Sequence, residues 1–286
     1  MQGAIVINGF LDSRKFREPA EMMTDACSRH GIGMRTFRNT DLTVPVGDYD
    51  ALSERLGDVD FVVFWDKDIG LAKNLEVCGY NVFNCSECIR LCDDKSLTHL
   101  TLADYGIPSI RTIVSPMSFG EPYKGWISTL EDQLGFPMVV KDCFGSFGEQ
   151  VRMVRDEQEL RREVSGGKPT IFQPYVECGR EDIRIEVVGD RAVAAVRRTA
   201  KEGDFRANAT NGGTMHRYEP TPEEEALAVD AASALQADFA GVDILRTADG
   251  PVVCEVNSNA HIKNLKDCTG IDVSDAITEH IIALIG

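Results

Sequence analysis

The chain of 286 residues has no run of about 18 consecutive apolar residues, so no membrane-spanning helix is expected. Its opening segment, MQGAIVINGFLDSRKF, has no basic stretch ahead of the apolar one, which argues against a signal peptide and for the cytoplasm. GxGxxG is missing after the first apolar strand, and GxxxxGK followed by Ser or Thr is missing throughout. Neither a dinucleotide fingerprint nor a P-loop is therefore expected. Basic residues are scarce: 30 Lys and Arg stand against 46 Asp and Glu, a net charge of −16. A surface of that sign repels nucleic-acid backbones and anionic membranes, so neither is an expected partner. Repeats and low-complexity tracts are absent. With 43% hydrophobic and 27% charged residues the chain reads as globular, and it is long enough for two or three packed subdomains.

The nine cysteines are odd in number and lie in apolar contexts, as reduced thiols do. Cys85, Cys88 and Cys92 have metal-like spacing, with Cys78 a conceivable fourth ligand. The same i, i+3, i+7 spacing is one buried stripe of a helix, and that is the expectation here.

Apolar strands at AIVIN (4–8), MRTFRN and VDFVVFWDKD alternate with helices at REPAEMMTDACSRHG and IGLAKNLEVCG. Alternation of this kind predicts an open, largely parallel α/β domain of about 90 residues, with functional side chains at the carboxyl ends of its strands. Asp66 and Lys67 sit at such an end. The helix DKSLTHLTLADYG follows, then FPMVVKDCFGSFGEQVRMV, two strands joined by a loop with Gly145 and Gly148. Those glycines would let backbone amides approach phosphates, although a plain hairpin fits the same pattern. Thr221, Pro222 and Glu224 form the capping signature of the helix PEEEALAVDAASALQADF.

GVDILRTADGPVVCEVN reads as a β-hairpin. If its turn centres near Asp249, Asp243 lies opposite Glu255, whereas a one-residue bulge would break that pairing. Opposed carboxylates destabilise a sheet unless something neutralises them. A hard divalent cation would do so, and Asp243, Glu255 and the Asn257 side-chain oxygen form an all-oxygen set suited to Mg²⁺ or Mn²⁺.

Taken in order, DDK at 93–95, VVK at 139–141 with its glycine loop, FQPYV at 172–176, EDIR at 181–184, RRTAKEGDFRANATNGG, GVDIL and EVN resemble the ATP-grasp ligases, most closely the RimK-type α-L-glutamate ligases. The resemblance spans residues from about 90 to 286. It implies an ATP-grasp fold, α/β and α+β, with an N-terminal open parallel pre-ATP-grasp domain at 1–90 and ATP-grasp subdomains at 91–175 and 176–286. ATP would lie between the subdomains. Lys95 and Lys141 would contact it, the segment Gln173 to Val176 with Tyr175 would hold adenine, and Asp182 would take the ribose. Arg206 and Asn208 would reach the phosphates, with Arg206 and Lys141 catalytic.

Asp243, Glu255 and Asn257 correspond to the family's metal positions, and Arg184, Arg198, Asn259 and His261 are candidates for substrate contact. The resemblance further implies a carboxylate–amine ligase acting through an acylphosphate on an amino acid and a peptide, protein tail or small acid, assembled as a dimer or tetramer. A biosynthetic ligase acting on a free metabolite or a carrier-bound amino acid, and a catalytically silent nucleotide-binding protein, are the alternatives. Two departures stand out. Pro174 replaces a common acidic residue at the hinge, and SNAHIKNLKDCTG replaces the usual Ser-Pro-Gly turn after Asn257.

Overall fold

A computed structural model describes the chain apart from residues 12, 118–123, 146–147, 149, 165–166 and 208–212. Its first sheet is parallel, with β1 (Gln2–Ile7), β2 (Gly33–Arg38), β3 (Phe61–Trp65) and β4 (Val82–Phe83) in the order β2-β1-β3-β4. All five residues of β3 are buried, because helices cover both faces of a parallel sheet and its strands become continuous apolar runs. Ala4, Val6, Val62 and Phe64 face a core with Leu52, Leu71 and Leu75. Ile5, Phe61, Val63 and Trp65 face the other way, onto α1 (Arg14–Arg29). The strand order reverses between β1 and β3, so a crevice opens beyond their carboxyl ends. Asp66 there accepts hydrogen bonds from Asn8 Nδ2 at 3.0 Å and Asn39 Nδ2 at 2.7 Å, tying together the ends of the first three strands.

The second sheet is antiparallel, in the order β5-β8-β6-β7, from β5 (Ile113–Val114), β6 (Met138–Asp142), β7 (Val151–Val154) and β8 (Thr170–Pro174). Phe172, Met138 and Val140 form its core with Ile127, Leu130 and Leu160. The third sheet is antiparallel as well, in the order β11-β10-β9-β12-β13: β9 (Glu181–Val188), β10 (Arg191–Thr199), β11 (Thr214–Arg217), β12 (Phe239–Thr247) and β13 (Gly250–Asn257). One face, carrying Ile183, Ile185 and Val187, packs on Leu227, Ala231 and Leu235. These belong to α8 (Pro222–Ala234) and its C-cap, a helix whose capping box forms as its sequence predicts. The other face is polar at Asp182, Arg184 and Glu186 and turns apolar at Val188. There it shares a core with the first sheet, where Trp65 stacks on Phe239 with ring centroids 5.3 Å apart.

Asn84 reinforces that junction from a fully buried position. It donates to the carbonyls of Phe239 (2.8 Å) and Ser258 (3.0 Å) and accepts from the amides of Asp238 (2.8 Å) and Phe239 (3.2 Å). The cysteine cluster lies along α4 (Ser86–Asp93). Cys88 and Cys92 are buried with sulfurs 3.9 Å apart, and Cys85 caps the helix by accepting from the Cys88 amide. Cys78 lies apart from them, its thiol directed at the Tyr49 carbonyl. No helix among the described residues is long and apolar enough to cross a membrane.

Candidate active site

The polar face of the third sheet is built by register. Strand alternation puts Asp182, Arg184 and Glu186 on one side of β9. Pairing then sets Arg198 of β10 opposite Asp182, and Asp243 of β12 opposite both Arg184 and, on its other side, Glu255 of β13. Arg184 binds Asp243 through Nε and through Nη2 at 2.8 Å. Arg198 grips Asp182 through Nε at 2.5 Å and Nη2 at 2.8 Å, and its Nη2 also lies 2.8 Å from Asp243. Burial alone would raise the Asp243 carboxyl, but the two guanidiniums outweigh it and hold the group at about 2. Burial would also lower Arg198, yet Asp243 and Asp182 keep it above the usual arginine range. For Asp182 burial prevails over Arg198, and the carboxyl is pushed up.

The hairpin reaches the expected Asp243–Glu255 pair by an unexpected route. Thr247 pairs with Gly250, which leaves a two-residue turn at Ala248 and Asp249, and Ile244 pairs with Val253. In that register Asp243 would face Cys254. A one-residue bulge at Cys254 shifts the ladder, so the irregularity creates the pairing that sequence reasoning held it would destroy. It also turns Val253 and Val256, three apart, into the same core and leaves Glu255 and Asn257 facing the site.

The electrostatic expectation needs correction too. The opposed carboxylates do not depend on a metal for neutralisation, since Asp243 has two arginines and Glu255 has Lys95 Nζ 3.5 Å away. The set still fits a hard cation. Its donors are carboxylates and an amide, Glu255 is about a third exposed, and the buried Nδ2 of Asn257 has no partner, so its amide can turn its oxygen toward an ion.

These residues border a cavity of about 300 Å³ between the third sheet and the carboxyl ends of β1 and β3. Among the residues predicted from sequence, Lys95, Arg184, Arg198, Asp243, Glu255, Asn257, Asn259 and His261 line it, as do Asp66 and Lys67. Asn259 donates to the Asp66 carbonyl at 2.7 Å, and His261 donates from Nε2 to the Lys15 carbonyl at 2.9 Å. The segment that departs from the usual turn therefore seals the sheet against the N-terminal domain.

A profile of the RimK-like ATP-grasp domain matches residues 92–281. The chain belongs to the RimK-like ATP-grasp family. This is a family of ATP-dependent ligases that form carbon–nitrogen bonds. A probable alpha-L-glutamate ligase of Serratia proteamaculans is 33% identical over 240 residues, covering 82% of this chain and 76% of that protein. The RimK domain ATP-grasp protein of Sphaerobacter thermophilus superposes with a TM-score of 0.74 at 22% identity, over 98% of this chain and 99% of that one. The ATP-grasp ligase PsnB, crystallised with a phosphomimetic variant of its minimal precursor, Mg and ADP, gives 0.74 at 18% identity, over 99% and 98%.

In this RimK-like ATP-grasp chain the described residues assigned to nucleotide, Lys95 excepted, are not among those lining the cavity. Lys95, only 8% exposed, donates from Nζ to the Gly145 carbonyl at 3.2 Å, and Arg206 donates from Nη1 to the Gly148 carbonyl at 2.8 Å. Both cations thus hold the glycine loop between β6 and β7, and Arg206 also binds Asp204. The buried Lys141 Nζ lies 3.6 Å from the Cys254 sulfur. Gln173 is buried and donates to Thr112 Oγ1 and His99 Nε2, each at 2.9 Å. Tyr175 meets Phe205 edge to face at 6.4 Å, and Val176 is half-buried beside it in sequence. The carboxylate of Asp182, assigned to ribose, is occupied by Arg198. Asn208 lies outside the described residues.

Three groups of the site escaped the sequence reading. Glu186 lines the cavity at 3% exposure, and burial pushes its carboxyl up. His99 is lowered to about 3 by burial and by Lys141 and Lys95. Cys254 is raised to about 11, chiefly by burial. Glu186 alone had a signal, since it is third in the alternating Asp182, Arg184, Glu186 run.

Proposed function

We propose that the protein is an ATP-dependent carboxylate–amine ligase that joins an amino acid to a peptide, protein tail or small acid. The observation that supports this reading is the position of Glu255. It faces Lys95, which holds the glycine loop, and it borders the cavity, so nucleotide and substrate sides would meet at one carboxylate.

In this scheme Asp243, Glu255 and Asn257 would hold Mg²⁺, which when bound offsets charge on the phosphates. Arg184 and Arg198 fix the Asp243 carboxylate and keep it ionised at any pH above about 2. Lys141, Lys95 and Arg206 would supply positive charge where negative charge builds up on the transferring phosphate. An oxygen of the substrate carboxylate attacks the γ-phosphorus, the bond to the β–γ bridging oxygen breaks, and ADP leaves. The amine nitrogen then attacks the acyl carbon, the carbon–oxygen bond to phosphate breaks, and phosphate departs as the nitrogen loses its proton. We further assign one unit to each sheet, at residues 1–90, 91–175 and 176–286.

Pairs of carboxylates and amines, tested with ATP and Mg²⁺ for ADP release and product mass, provide the assay. The expected result is release that needs both partners and a product lighter than their sum by one water. Glu255→Gln should lower that rate by about 100-fold or more, the scale of losing one electrostatic contact to transferring phosphate. No partner-dependent release from any pair would refute the ligase assignment.

A further inference from the structure

Four carboxylates stand on the polar face of the third sheet, Asp182, Glu186, Asp243 and Glu255, and among the described residues Glu186 is the one that is buried and receives no hydrogen bond. Asp182 and Asp243 each receive guanidinium hydrogen bonds. Glu186, equally buried, receives none among the described residues. Its nearest cation, Arg184 Nη1, is 3.8 Å away, and that guanidinium is already bound to Asp243. A buried carboxylate with no donor is costly to keep unless a ligand supplies one.

Gly241 of β12 carries no side chain because Ala260 Cβ at 2.7 Å and Arg184 Nη1 and Glu186 Oε1 at 2.9 Å already pack over the place a Cβ would take, which fixes the Glu186 carboxylate at the cavity wall. Two further acceptors without donors belong to the same cavity wall. Asn259 Oδ1 is buried and unpartnered. His261 gives its Nε2 proton to the Lys15 carbonyl and is kept neutral by burial, which leaves Nδ1 as a buried acceptor with nothing to accept. Of the other cations lining the cavity, Arg198 is bound to Asp182 and Asp243, Lys95 to Glu255 and the glycine loop, and Lys67 to Asp93, while Lys15 lies on the His261 side. A buried carboxylate that lines the cavity and lacks a donor suits an ammonium group, which has three N–H donors and no acceptor.

We propose that this cavity binds the acceptor amine as an ammonium ion on Glu186, which accepts one of its protons before the nitrogen attacks, and that it selects an acceptor with an uncharged or basic body. The inference rests on the ligase reading above. Of the two substrates only the amine carries the charge that Glu186 attracts, and Arg184 links Glu186 to Asp243 at the proposed metal position. Phe16, Pro19, Trp65, Val196, Met215 and Leu265 supply an apolar wall for the rest of the molecule. A volume of about 300 Å³ suits a single amino acid. Glutamate, with a second carboxylate to place beside Glu186, is a disfavoured acceptor here, in contrast to what the name alpha-L-glutamate ligase suggests for the relatives that bear it.

The test uses the carboxylate found in the screen above and varies the amine among alanine, leucine, lysine and glutamate. Wild-type protein should use the first three with kcat/KM roughly tenfold or more above glutamate, and Glu186→Gln should raise the KM of the favoured amine about tenfold while the KM values for ATP and carboxylate stay within about twofold. Glu186→Asp, which restores the charge, should recover part of the amine KM, a rescue that a purely structural role would not give. Hydroxylamine trapping on the wild type, without any amino-acid acceptor, separates the two layers of the argument. Hydroxamate formation together with an amine KM unchanged in Glu186→Gln overturns the Glu186 assignment alone. Absence of both hydroxamate and ADP release overturns the ligase reading and this inference with it.

Discussion

Replacing Arg198 with methionine removes the guanidinium that joins Asp182 to Asp243 while keeping much of its volume. Arg198 is 6% exposed, and both carboxylates are nearly buried. The damage should be unequal. Asp243 retains Arg184, whereas Asp182 has no other hydrogen bond among the described residues. Breaking one side of a buried ion pair costs about 3–5 kcal/mol. For 286 residues the unfolding entropy near Tm is on the order of 0.6 kcal/mol/K, so Tm should fall by roughly 5–8 °C.

The pH dependence carries more information than the shift itself. In the wild type Asp243 is depressed to about 2, so its contribution is present above the unfolded carboxyl value and is lost only as pH falls through about 2. It is therefore constant between pH 8 and pH 5. In the variant the Asp182 carboxyl, already raised by burial, rises further. A raised carboxyl destabilises the fold at high pH, and the deficit closes as pH falls and the group takes a proton. Thermal unfolding followed by circular dichroism should therefore show a smaller difference at pH 5 than at pH 8, and Asp182→Asn added to the variant should restore about 2 kcal/mol. A deficit independent of pH, or no rescue by the second substitution, would show that Arg198 stabilises by packing and not by charge.

Asn84→Ala removes four buried hydrogen bonds at the junction of the first and third sheets, and should cost about 3–5 kcal/mol in urea unfolding. A loss below about 1 kcal/mol would contradict that account. Cys254, raised to about 11, should hold a thiolate fraction of only about 0.1% at pH 8. The residue is only partly buried, so peptide mass analysis after iodoacetamide should find it alkylated far more slowly in the folded protein than in guanidinium, and equal rates would refute the raised thiol.

Local chemistry made much of this architecture legible. Apolar runs such as Phe61–Trp65 declared a strand covered on both sides, and the capping box at Thr221 fixed a helix start, because both signals arise within a few residues. The Asp243–Glu255 pair was legible for a weaker reason. The assumed turn was wrong by half a residue, and the bulge at Cys254 compensated. Charge partners were less visible. That Arg184 and Arg198 would meet on Asp243 depends on β9 lying between β10 and β12, an order that strand patterns alone do not fix. His99 looked like one more polar position in a helix, and only the docking of α5 (Lys95–Asp104) on Gln173 shows it to be enclosed.

The core shared by the first and third sheets constrains how such a protein can be rebuilt. Severing the chain near residue 90 would strip water-avoiding cover from Ile5, Val63 and Trp65 on one fragment and from Val188, Phe239 and Ile277 on the other. A chimaera that imports another N-terminal unit to change substrate would have to import the matching underside too, or rewrite the terminal helix against which it rests. The folding of the two parts is thus inherited together in this chain, through a single seam.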